Sequence, residues 1–229
     1  MTDPLLAVVL VSGGLDSCVA AAIAARDRHL AFLHLNYHQR TEARELRAFE
    51  ELAAHFQVSQ RLIVDLSFMA QIGGSSLVDP GQPIPEEEEA GDQVPSTYVP
   101  FRNANLLGIA VAWAEVIGAA DIFIGAHEEG SVYPDCRQGF FSAYNKAITA
   151  GTRPDSQIQV RTPLIAMDKT AIVRTGLELN APLRLTWSCY QHSDFACGRC
   201  HSCRLRRRAF HHLGAQDPIP YAARHPSGV

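Results

Sequence analysis

The chain has 229 residues, 47% of them hydrophobic and 19% charged, with a formal net charge of −4. That balance supports a sizeable core for one α/β domain with an appendage and excludes global disorder. It offers no general attraction to nucleic acid, and no segment reaches the ~20 apolar residues that span a bilayer. Residues 5–11 form a continuous apolar run, the pattern of a central parallel strand buried on both faces; it is too short, and lacks the cationic flank, for a secretion signal. A glycine-bearing turn follows at 12–17, and the alanine-rich stretch 18–26 predicts a helix. Residues 31–36 read as a second strand, 41–56 as an amphipathic helix and 61–64 as a third, short strand. The order β-α-β-α-β predicts a doubly wound parallel sheet with right-handed crossovers.

Residues 73–100 break the rhythm with five prolines, several glycines and the acidic run 86–89, and predict a long mobile loop with a solvated charge cluster. A helix is expected at 103–117, a strand at 121–125, a helix at 137–150, a strand at 157–161 and a helix at 169–179. From Trp187 the chain turns rich in cysteine and arginine, which divides it into a main unit, 1–186, and a metal-binding segment, 187–229, packed on it.

S-G-G-L-D-S (residues 12–17) stands after the first buried strand and before a helix, where α/β folds place ligands. Gly13 and Gly14 permit a tight turn with N–H groups close to phosphate oxygens, and Ser12 and Ser17 add hydroxyls. The helix behind them adds the positive end of its dipole. No G-K-[S/T] follows, so this is not a Walker loop. The nucleotide-contacting stretch is assigned to Leu10, Val11, Ser12, Gly13, Gly14, Leu15, Asp16, Ser17 and Cys18. Phosphate would repel Asp16 directly, so it is expected to orient the loop or hold Mg²⁺. Cys18 also reads as a small buried residue, and Cys136 as packing before it reads as a reactive thiol.

Cys189, Cys197, Cys200 and Cys203 form C-x7-C-x2-C-x2-C, spacing that closes a tetrahedral, structural Zn²⁺ site; an iron–sulfur cluster is the competing reading. In a reducing, cytoplasmic setting, cysteines at such spacing read as ligands before disulfides. His192 and His201 are surplus neighbours.

The loop resembles the pyrophosphate loop of the N-type ATP pyrophosphatases, an adenine nucleotide α-hydrolase-like fold. In order along the chain stand that loop, V-P-S-T-Y-V-P-F-R-N (94–103), Y-P-D-C-R (133–137), T-W-S-C-Y (186–190) and C-G-R-C-H-S-C-R-L-R (197–206). Together they resemble the 7-cyano-7-deazaguanine synthase (QueC) family of the queuosine pathway, from about residue 7 to 210. The resemblance implies an ATP-dependent ligase acting on 7-carboxy-7-deazaguanine and ammonia, giving the amide and then the nitrile, in a homodimer. On that basis Asp16, Lys169 and Arg102 are the catalytic candidates, the last two as cations for phosphate or carboxylate. Asn103 and Asp135 are candidates to read the guanine-like edge, and Tyr98 and Tyr133 to stack on the ring.

Departures from the family pattern cluster near the substrate segments. His38 stands for glycine in Y-G-Q-R, Phe101 for glycine in P-G-R-N, and Gln138-Gly139 where an acidic residue is usual. Residues 128–132 are shorter than the family's stretch before Y-P-D-C. These leave open a paralogue that joins the deazaguanine to another amine, such as a protein acceptor, or a tRNA-modifying relative.

Overall fold

The computed structural model describes residues 5–85, 94–128 and 133–222. The acidic run 86–89 and most of the shortened stretch 128–132 lie outside the described residues. Five strands, β1 (Leu6–Leu10), β2 (His29–Asn36), β3 (Arg61–Asp65), β4 (Asp121–Phe123) and β5 (Gln159–Arg161), form one sheet in the order β3-β2-β1-β4-β5. Every pairing is parallel, with Val9 opposite Phe32 and Phe123, Leu33 opposite Leu62, and Ile122 opposite Val160.

The apolar run at β1 divides by strand alternation. Ala7 and Val9 face a core shared with α1 (Leu15–Ala24), α2 (Glu42–His55) and α6 (Lys169–Glu178). Val8 and Leu10 face the opposite core, built from α4 (Arg102–Ile117) and α5 (Gln138–Gly151). Ala7, Val8 and Val9 are fully buried, as a central strand covered on both faces requires. The last helix, α7 (His201–His212), sends Ala209 and Phe210 into the α1 side of the core, while Cys200 and Cys203 pack with the other side.

Two elements differ from the sequence reading. The helix expected from residue 18 begins at Leu15, so Asp16 and Ser17 belong to its first turn. A short helix, α3 (Phe68–Ile72), precedes the long connection. The described parts of that connection, expected to be mobile, are packed: Ser75, Ser76, Leu77, Val78 and Ile84 are buried. Arg40 straps them down by donating to the carbonyls of Ser76, Asp79 and Gln82. Among the described residues, no helix is long and apolar enough to cross a membrane.

Candidate active site

β1 pairs with β2 on one side and β4 on the other, which makes its carboxyl end the topological switch point where open α/β sheets bind ligands. The loop 12–14 emerges there. Gly13 has φ +84°, and a Cβ on it would lie 2.6 Å from the Glu45 carbonyl oxygen, so only glycine fits between the loop and α2. Ser12 Oγ accepts from the Gly14 N–H at 3.2 Å and donates to Ser17 Oγ at 3.3 Å; the Ser17 hydroxyl donates to the Gly14 carbonyl at 3.0 Å. Gly14 is the N-cap of α1 and offers no side-chain cap. The N–H groups of Leu15, Asp16 and Ser17 therefore have no intrahelical partner and point out of the helix start, an anion-binding geometry. Gly125, just past β4, makes the close approach possible: a Cβ there would meet the Asp16 carbonyl carbon and the Ser17 nitrogen at 2.7 Å.

Two sequence candidates converge on this point. Lys169 is the first residue of α6, whose N-cap Asp168 accepts from the Ala171 N–H at 2.6 Å. Its Nζ donates to both Asp16 carboxylate oxygens at 2.7 Å, with His127 Nε2 3.3 Å from the same nitrogen and 3.7 Å from Asp16. The residues sit 153 positions apart in sequence yet form a bidentate pair at the mouth of the loop. His127, which the sequence reading did not single out, follows β4 by four residues and is delivered by the same switch point.

The loop opens into a cavity of about 720 Å³, within the size range of small-molecule sites. Ser12, Gly14, Leu15, Asp16, Ser17 and Lys169 line it. Tyr37, Gln39, Glu45, Arg102, Tyr133 and Tyr190 are among the other residues that line it. Arg102 donates to the Tyr37 hydroxyl at 3.2 Å, with its guanidinium 5.8 Å from that ring's centre. Glu45 accepts from Thr41 at 2.8 Å and Gln39 at 3.0 Å, and burial raises its carboxyl above the usual range despite those bonds. Tyr37 was noted only as the first residue of the Y-x-Q-R stretch and given no role, and a helix Glu such as Glu45 carries no pattern; the fold brings both to the cavity that Arg102 lines.

Not every sequence candidate reaches the cavity wall. Gly13 and Cys18 do not line it: Gly13 faces α2, and Cys18 is fully buried in the core, which pushes its thiol up to about 12. Asn103 and Tyr133 do line it, but Asp135 does not. The buried Asp135 carboxylate accepts from the Asn103 backbone N–H at 2.8 Å and so caps the start of α4. The Asn103 amide donates to the Asp135 carbonyl at 2.9 Å and to Cys136 Sγ at 3.2 Å. Tyr98 stacks on Tyr133 at 5.8 Å from outside the lining, and the Tyr133 hydroxyl is 2.7 Å from that of Thr97.

The four tail cysteines come together. Cys189, Cys197, Cys200 and Cys203 are buried, and their sulfurs all lie within 4.8 Å of one another. A tetrahedral Zn²⁺ site, with Zn–S of ~2.3 Å, has sulfur–sulfur edges of about 3.8 Å, and the Cys197–Cys203 pair is at 3.9 Å. Backbone N–H groups of Gln191, His192 and Cys197 point at Cys189 Sγ at 3.4 Å, and those of Arg199 and Cys200 at Cys197 Sγ. Bonds from the Cys200 and Cys203 thiols, then these N–H groups, hold Cys189 far below the usual thiol range. The donor set is one that binds a soft or borderline cation.

The model for queuosine biosynthesis protein QueC matches residues 6–214. The 7-cyano-7-deazaguanine synthase of Chlorobium limicola is 52% identical over 95% of this chain and 97% of its own. That of Chlorobium phaeobacteroides is 53% identical with the same coverage. Among solved structures, NMN synthetase from Francisella tularensis superposes with a TM-score of 0.49 at 13% identity, covering 94% of this chain and 79% of that one.

Proposed function

The chain belongs to the QueC family of queuosine biosynthesis proteins, and from that premise we propose that it is an ATP-dependent 7-cyano-7-deazaguanine synthase. The observation that carries the proposal is the cavity at the switch point, which an uncapped helix start and the Asp16–Lys169 pair line together with Tyr37, Arg102 and Tyr133. Half identity over nearly the full length to enzymes of that name supports this reading over the paralogue and the tRNA-modifying relative.

In this reading the carboxylate of 7-carboxy-7-deazaguanine attacks the α-phosphorus of ATP and expels pyrophosphate. Ammonia then adds to the acyl adenylate and expels AMP, leaving the amide. The amide oxygen then attacks the α-phosphorus of a second ATP and expels pyrophosphate, and loss of AMP and the two amide protons leaves the nitrile. The helix-start N–H groups and the Ser12 and Ser17 hydroxyls receive the departing pyrophosphate, where fixed dipoles offset its charge without reorganisation. Lys169, held by Asp16, adds a cation beside it. Arg102, which lines the same cavity, pairs with the substrate carboxylate, and Tyr133 packs beside the ring. Mg²⁺, through Asp16, would supply further charge neutralisation. Zn²⁺ in the four-cysteine site would tie the tail to the core and leave no position open for catalysis.

The reading places the enzyme in the reducing cytoplasm, as a homodimer to which α4 contributes apolar surface: Val116 there is 81% exposed. The test is mass spectrometry of products from the purified protein with the carboxylate, ATP and ammonium. The nitrile and two AMP per turnover are expected; consumption of ATP with no nitrile defeats the proposal.

A further inference from the structure

The cysteine site and the nucleotide loop stand on separate segments, yet a short chain of hydrogen bonds joins them. The His192 N–H points at Cys189 Sγ at 3.4 Å. The His192 carbonyl accepts from the Trp187 indole Nε1–H at 3.0 Å. The Trp187 backbone N–H donates to the carbonyl of Gly13 at 2.8 Å. Three bonds thus lead from a metal-ligand sulfur to the one loop residue whose backbone lies at φ +84°.

Trp187 is fixed from its other side as well. It is 3% exposed, and the guanidinium of Arg44 lies 4.6 Å from its ring centre. Among the described residues, buried Arg44 Nη1 has no hydrogen-bond partner, and the indole face is a contact its guanidinium does make. Arg44 belongs to α2, the helix whose Glu45 carbonyl leaves no room for a side chain at Gly13. Trp187 is therefore wedged between the helix that backs the loop and the turn that carries Cys189.

We propose that Trp187 is a positioning residue that couples the four-cysteine site to the nucleotide loop, so that metal and ATP each strengthen the binding of the other. The inference rests on the metal and ATP readings given above. With the four sulfurs drawn together, residues 189–197 hold the His192 carbonyl in place, the indole is anchored, and the Gly13 carbonyl keeps its donor. The loop N–H groups are then aligned before nucleotide arrives, and the ordering is not charged against binding. Linkage makes the effect reciprocal.

The chain has two tryptophans, so Trp113→Phe leaves Trp187 as the sole fluorescent reporter. In that background, a non-hydrolysable ATP analogue with Mg²⁺ is titrated into the metal-loaded protein and into protein freed of metal, with far-UV circular dichroism confirming the fold. Metal removal is expected to weaken the analogue about tenfold. The analogue should slow metal release to a chelator by a comparable factor, a measurement that uses the loaded protein alone and stands if the metal-free form unfolds. With Trp113 restored and binding followed calorimetrically, Trp187→Phe, which keeps a ring on Arg44 but loses the indole donor, should retain part of the coupling. Trp187→Ala should abolish it while metal content stays at one per chain. Equal analogue affinity with and without metal, together with a release rate blind to the analogue, overturns the proposal; so does full coupling in Trp187→Ala. Protein that holds no metal, or binds no analogue even when loaded, overturns instead the reading beneath it, and each is seen before any coupling is measured.

Discussion

An unpaired carboxylate at Asp16 would face an arriving phosphate with like charge, and Lys169 cancels that by closing on both oxygens at 2.7 Å. Because the two act through one contact, their losses should not add. Asp16→Asn and Lys169→Met are each expected to lower kcat/KM at least about 100-fold, and the double variant little further. Steady-state kinetics on the three proteins checks this; additive losses would mean that the two residues serve separate steps. The residue scale also explains two departures from the family pattern. His38 (φ +59°) and Phe101 (φ +53°) both occupy left-handed backbone, the region where the resembled family carries glycine. The His38 backbone N–H donates to the Glu42 carboxylate at 3.1 Å, and the exposed Phe101 packs edge-on to Phe140. Both departures therefore place a side chain on strained backbone. Restoring glycine at either position should relieve about 1–2 kcal/mol of left-handed strain, against about 0.5–1 kcal/mol of added unfolded-state entropy. A small net rise in thermal midpoint, with nitrile production unchanged, is expected by calorimetry and product assay. The sequence showed that the glycines were absent; the φ angles show that both positions nevertheless hold left-handed backbone.

Elements were legible wherever one physical signal dominated. The apolar run of β1, the short, largely apolar stretch of β2 and the amphipathic period of α2 placed those elements within a few residues. The start of α1 was not legible, because Ser and Asp suit a turn and a helix's first turn equally well; in the fold Asp16 and Ser17 take the first turn, against the close approach of Gly125. Asp135 is the same lesson at a helix end. Its carboxylate reads from sequence as a partner for a guanine edge, whereas in the fold it accepts the Asn103 N–H and caps α4 from another segment. Asp135→Ala should therefore cost about 1–2 kcal/mol of stability, as lost caps do, and lower the melting temperature by several degrees. Asp135→Asn, which keeps an acceptor oxygen, should lose less. If ring recognition were its role instead, Asp135→Ala would raise the KM for the carboxylate substrate with the melting temperature unmoved.

At the scale of the whole molecule, the composition change at Trp187 suggested an appendage, and the packing shows how firmly it is joined. Arg206 of α7, only 1% exposed, donates to Asp217 at 2.9 Å, to Thr186 at 2.7 Å and to the Leu183 carbonyl at 3.1 Å. Those bonds link the metal-site helix to the end of the α/β unit on one side and to the C-terminal strand bridge on the other, where Tyr221 pairs with Ala196 and donates to Asp217. None of this is visible in a run of arginines, whose members differ only in which one the helix turns inward: Arg206 is buried, while Arg204, Arg207 and Arg208 are exposed. A buried charge pair that loses one partner leaves the other uncompensated, at a cost of about 3–5 kcal/mol. Arg206→Met is expected to show that loss in denaturant unfolding, more than any of the three exposed arginines would on substitution. The junction also predicts a single transition. Because Ala209 and Phe210 share a core with β1 and α1, the tail has no separate interior to melt. Metal release followed with a colorimetric chelator and helix loss followed by circular dichroism should trace the same denaturant midpoint in the wild-type protein. Metal leaving at clearly lower denaturant would instead make the tail an independent unit, and would confine the cost of Arg206→Met to that first step.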